Sequence, residues 1–128
     1  MGRWAAMAAV MLGVVTVATW SRGESEAAPQ QRASGAELFS AKGCATCHTG
    51  PDTQALFEAF PQLDDASSWA GDRKPAMSAT DYLAESMAAP AAFTSPAFAG
   101  GMGPTSGMPQ LRLTSEEIAA LVAYLLGT

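Results

Sequence analysis

Cys44, Cys47 and His48 stand together in the run CATCH, and the chain of 128 residues has no other cysteine and no other histidine. Thiols and an imidazole at this spacing suit only a few kinds of chemistry. A disulfide between these two cysteines would close a loop of a few residues and staple almost nothing. A structural zinc wants four ligands, and the run supplies three with no further Cys or His to complete a tetrahedron. A dithiol redox pair of the thioredoxin kind follows a strand in a βαβ unit, and no such unit is legible here. What remains depends on the elements that must position the run.

The totals allow one small globular domain and some extra segment. Net charge is −5, and Lys and Arg do not cluster, which argues against a nucleic-acid partner. Between Arg3 and Arg22 lie eighteen residues without a charge, WAAMAAVMLGVVTVATWS, which read as an export or membrane segment covering residues 1–22. As a helix this run would span roughly 27 Å, close to the thickness of a hydrocarbon core. Trp4 and Trp20 would then sit at the two interfaces, which favours an uncleaved anchor through residues 4–21 over a cleaved signal peptide. Either way the rest of the chain is expected on the exported side: the periplasm or outer face of the cytoplasmic membrane, anchored or else secreted. Residues 23–33 are polar, contain Pro29 and show no apolar period, so a flexible linker is expected there.

From residue 34 the pattern turns helical. Ser34 and Glu37 have capping-box spacing ahead of Leu38 and Phe39, and predict a helix ending at Lys42-Gly43. A second helix is expected from Asp52 or Thr53 to Phe60, and residues 64–75 are expected to be loop. Ser78 and Asp81 open a third helix with Tyr82, Leu83 and Met87 on its apolar face, stopped by Pro90. Thr114 and Glu117 cap a fourth, in which Ile118, Leu121, Val122 and Leu125 recur at helical spacing up to Gly127. Nothing alternates as a strand, so the domain over residues 34–128 is expected to be all-α. Phe39 and Tyr124 are expected to pack the first helix on the last.

Four short helices and a Gly- and Pro-rich stretch from Phe93 to Leu111 cannot close a large core by themselves. A cofactor can fill it. In Cys-x-x-Cys-His two thiols can add to the two vinyl groups of a haem while the adjacent imidazole reaches its iron, so one turn of chain holds the macrocycle at three points. The chain resembles the monohaem class I c-type cytochromes over about residues 34–126. The resemblance rests on CATCH, on Pro61-x-Leu63, on the Ala-Gly-x-Arg of residues 70–73, on Met108-Pro109, and on the closing LTSEEIAALVAYLL. It implies a small cytochrome c fold of about four helices wrapped around one haem c, bound covalently through Cys44 and Cys47. It implies that His48 ligates the iron, that the Pro61 carbonyl holds the His48 ring, and that Arg73 reaches a haem propionate. Trp69 is expected to wall the haem, while Met77 and Met87 read as core filler.

Because His48 is the only histidine, a second imidazole cannot come from this chain, and methionine sulfur is the next candidate for the sixth position. Two methionines, Met102 and Met108, lie in the glycine-rich stretch. Met108 matches the family position, and Met102 is the alternative. A haem with both axial positions filled has no site for oxygen or peroxide, which suits one-electron transfer and not catalysis. A haem enzyme such as a peroxidase would need an open position and an acid–base residue beside it. The expected partners are redox proteins, a donor and an acceptor such as membrane respiratory or photosynthetic complexes. They would dock briefly at a haem edge rimmed by the small residues of 97–107. A tethered or soluble shuttle and a fixed cytochrome subunit of a larger membrane oxidoreductase both fit. From Ser34 onward ten acidic side chains face four basic ones, so any electrostatically steered partner should be basic.

Overall fold

The computed structural model describes residues 22–57, 61–96 and 107–128, with side-chain surroundings from residue 31 onward. Helix α1 covers Arg22–Ala41, α2 Ala66–Trp69, α3 Ala79–Ala88 and α4 Ser115–Leu126. Single 3₁₀ turns stand at Cys44–Thr46 and Ala70–Asp72, and no strand ladder forms among the described residues. The expected apolar run of residues 4–21 lies outside the described residues. Among the described residues no helix is long and apolar enough to cross a membrane.

The core forms where α1 crosses α4, and the crossing is set by an absent side chain. A Cβ on Gly35 would stand 2.1 Å from the Ala120 carbonyl oxygen and 2.5 Å from Tyr124 Cβ, so only glycine lets the two backbones approach this closely. One turn further on, Phe39 is buried against Tyr124 with ring centroids 5.6 Å apart and planes tilted by 57°. Leu121, Val122 and Leu125 complete the buried face of α4, as their spacing predicts. The Tyr124 hydroxyl reaches past this pair and accepts from the Asp52 backbone N–H at 3.1 Å, which ties the loop after the CATCH run to the last helix.

Of the three predicted caps, those at Ser78 and Thr114 form. The Ser78 hydroxyl accepts from the Asp81 N–H at 3.1 Å and opens α3, whose Tyr82, Leu83 and Met87 are buried. Thr114 and Glu117 make a reciprocal capping box on α4, with Thr114 Oγ1 accepting from the Glu117 N–H at 3.2 Å and Glu117 Oε2 from the Thr114 N–H at 3.0 Å. Gly127 ends α4 at φ 74°, where a Cβ would be strained.

Three expectations are corrected. The first helix begins at Arg22, not at Ser34, so Ser34 lies inside the helix and residues 23–33 are not a flexible linker. Pro29 removes one backbone donor, but the Glu, Ala, Gln and Arg around it have low helix cost and carry the helix through. No helix forms over residues 52–57. There the backbone donors go to the turn at Cys44–Thr46, Leu56 N–H to the Ala45 carbonyl and Phe57 N–H to the Thr46 carbonyl, each at 3.0 Å, and both side chains are left exposed. Residues 64–75 are not plain loop, because Ala66 and Ala70 are small enough to be fully buried and close α2 and the 3₁₀ turn after it.

Glu117 also pairs with Lys42, whose Nζ lies 2.7 Å from Oε1, and so links the end of α1 to the start of α4. The hydrogen bond from Lys42, and after it the one from the Thr114 backbone, hold the Glu117 carboxyl below its ordinary range. A carboxylate lowered in the fold stabilises it above the unfolded value, and that contribution is lost as pH falls through the folded one. Glu117→Gln keeps the cap acceptor and loses the charge. Its deficit in melting temperature against the parent should therefore be clear at pH 7 and shrink well below about pH 4.3. A deficit of equal size at both pH values would show that charge plays no part.

Candidate haem site

The attachment turn follows directly from the end of α1. Gly43 adopts φ 82°, a left-handed conformation that lets the chain leave the helix and re-enter a tight turn. Thr46 N–H bonds the Gly43 carbonyl at 3.0 Å, and the Cys44 carbonyl accepts from both Cys47 at 3.1 Å and His48 at 2.9 Å. Positions i, i+3 and i+4 of one helical turn share a face, and Cys44, Cys47 and His48 accordingly line the same cleft. Cys44 is partly buried, and that burial pushes its thiol up from its ordinary value.

His48 is oriented from a distant loop. Its Nδ1 lies 2.7 Å from the Pro61 carbonyl oxygen. A carbonyl can only accept, so Nδ1 carries the proton and the Nε2 lone pair is left for a metal.

The cleft holds about 1350 Å³ of space, its open mouth included. Its walls come from every helix: Phe39 of α1, Trp69 of α2, Tyr82, Leu83, Ser86 and Met87 of α3, and Leu121 and Leu125 of α4. Pro61, Leu63 and Phe93 add to them from loops, and Met108 and Pro109 reach the same space from the segment before α4. Of the residues singled out in the sequence, Cys44, Cys47, His48, Pro61, Leu63, Trp69 and Met108 are thus brought together. Arg73 stacks its guanidinium 5.0 Å from the centre of the Trp69 ring, beside a wall of the cleft. Trp69 Nε1 donates to Asp65 Oδ1 at 2.9 Å, which fixes that ring from below. The alternative ligand Met102 and most of the small-residue rim at 97–107 lie outside the described residues.

Met87 is buried as core filler should be, but it also faces the cleft, as does Phe39. Ser86, Thr94 and Ser95 are also among the lining residues, the Ser86 hydroxyl donating to the Tyr82 carbonyl at 2.8 Å. Nothing in the sequence singled these out, since a serine on a helix face or in a loop carries no spacing signal. Thr49 and Gln62, which brace the His48 loop, were missed for the same reason.

The donor set fits a haem. Two thiols and an imidazole with a free Nε2 share an apolar cleft with a thioether. Among the described residues no three His, Cys, Asp or Glu side chains converge as a metal cluster would. Bound there, haem supplies a one-electron couple. The chain's residues do the rest: Cys44 and Cys47 tether, His48 is held in one tautomer by Pro61, and the aliphatic and aromatic walls exclude water.

The family model described as Cytochrome c matches residues 32–128. No curated protein and no solved structure matches the chain. With the match running from within α1 through α4 and the cysteines at 44 and 47 in place, the chain belongs to the cytochrome c family, binds haem c covalently, and serves haem-based electron transfer with redox partners.

Proposed function

We propose that the protein is a one-electron carrier whose haem iron is ligated by His48 and Met108, working on the exported side of a membrane between a donor and an acceptor protein. The observation that carries this reading is that Met108 lines the same cleft as His48, in a chain with no second histidine. Thioether ligation raises the potential relative to two imidazoles and closes the iron to small ligands, as a carrier requires. The apolar run of residues 4–21 supports export, and its tryptophans support an anchor.

The helical state of residues 23–33 favours a second reading of the setting. A domain joined through a continuous helix does not swing as it would on a flexible linker, which suits a cytochrome subunit held in one orientation within a larger membrane oxidoreductase. One preparation tests both readings. Membranes from cells expressing the full chain with haem-attachment machinery should release the protein with detergent and not with high salt, and the ferrous form should not bind carbon monoxide. Co-purification with a stoichiometric redox complex selects the subunit, and release alone selects the shuttle. A ferrous form that takes up carbon monoxide rejects His48/Met108 ligation.

A further inference from the structure

We infer that Gln62 is a positioning residue for His48, setting how strongly the Pro61 carbonyl holds the imidazole and hence the potential of the iron; this rests on the reading of His48 as an axial ligand. The Nδ1–H bond to Pro61 depends on where that carbonyl points. The ring of Pro61 locks its φ, so the torsion that can still swing the carbonyl is its ψ, the angle of the Pro61–Gln62 peptide. Residue 62 is gripped by the neighbour of His48. Thr49 N–H donates to Gln62 Oε1 at 3.0 Å, and the Leu63 N–H returns a bond of 2.8 Å to the Thr49 carbonyl. The amide oxygen takes this role because a backbone N–H needs an acceptor. Thr49 is itself braced, its Oγ1 accepting from the Ala55 N–H at 3.3 Å.

The result is a clasp of three rungs between residues 48–49 and 61–63, in which a side chain supplies the middle one. The first and third rungs involve the His48 ring and the main chain, so Gln62 Oε1 is the one acceptor in the clasp that a substitution can delete without touching Pro61 or His48. An imidazole that donates to a carbonyl gives more electron density to the metal and favours the ferric state. Loosening the clasp weakens that donation and raises the potential.

The test uses the holoprotein and three variants, Gln62→Ala, Gln62→Met and Gln62→Glu. Redox titration gives the midpoint potential, and proton NMR gives the solvent exchange of the His48 Nδ1–H. Ala and Met should raise the potential and speed the exchange roughly five- to tenfold, as expected for loss of one hydrogen bond. Glu keeps an acceptor and should restore slow exchange, although its charge shifts the potential by itself. Potentials and exchange unchanged in Ala and Met overturn the inference. So does a Met variant that behaves as the parent while Ala does not, since bulk would then be the cause, or a Glu variant that exchanges as fast as Ala. In the parent, a His48 ring proton without an iron-shifted resonance would reject the ligand reading itself, which separates the two failures.

Discussion

Met108→Leu is expected to convert a closed haem into one that binds carbon monoxide when reduced and cyanide when oxidised, at close to one equivalent each. Leucine keeps the bulk that Met108 contributes to the cleft wall but has no lone pair, so under the proposed His48/Met108 ligation the iron loses its sixth ligand while the pocket stays filled. The reduction potential should fall, and any weak near-infrared sulfur-to-iron band of the ferric protein should disappear. Met102→Leu should leave all of these nearly unchanged. Pro109 restrains the chain directly after Met108, and the Thr114 cap anchors α4 a few residues later. The reverse pattern, with Met102→Leu opening the iron, would move the ligand to Met102. If neither variant opened it, the sixth ligand would have to come from a partner subunit.

The second large effect concerns the helix crossing. Gly35→Val should destabilise the fold by about 3 kcal/mol or more, which for a domain of this size lowers the melting temperature by roughly 12 °C or more. Even the first added carbon has nowhere to go: it would meet the Ala120 carbonyl oxygen at 2.1 Å and Tyr124 Cβ at 2.5 Å. The nearer of these is main chain, which cannot rotate away, so α1 and α4 must separate. Separation also strips Phe39 from Tyr124 and loosens the Tyr124 hydroxyl from Asp52. Gly71→Ala is the control, because its Cβ would find only ordinary contact with Ala79 at 3.9 Å. Equal melting temperatures for Gly35→Val and the parent would show that the crossing is not as tight as described.

Local chemistry was legible without coordinates. The spacing of Cys44, Cys47 and His48 carries its meaning in five consecutive residues. The caps at Ser78 and Thr114 need only a side chain and a backbone N–H three positions on. The buried stripe of α4 follows from the helical period alone. Signals of this kind are complete within one turn, and at these positions the rest of the molecule did not override them.

Where local preference was weak or ambiguous, the rest of the molecule decided. The stretch at 52–57 has helix-compatible residues, yet the carbonyls of Ala45 and Thr46 compete for its donors and win, because the turn they belong to is fixed by Gly43. Residues 23–33 look like linker by polarity, yet their propensities let a helix anchored at Gly35 and Phe39 extend back through them. Ser34 and Glu37 have the spacing of a cap, but a cap requires a chain that is not already helical before it. By itself, then, the sequence determined the haem-attachment run, the all-α class and two of the caps, since each depends on contacts within a few residues. Only the tertiary structure decided the closeness of α1 to α4 at Gly35 and the grip of Gln62 on Thr49, while it put the Pro61 carbonyl on His48 Nδ1 as the family resemblance implied. Those depend on groups brought together across the fold, and no spacing along the chain encodes the distance between them.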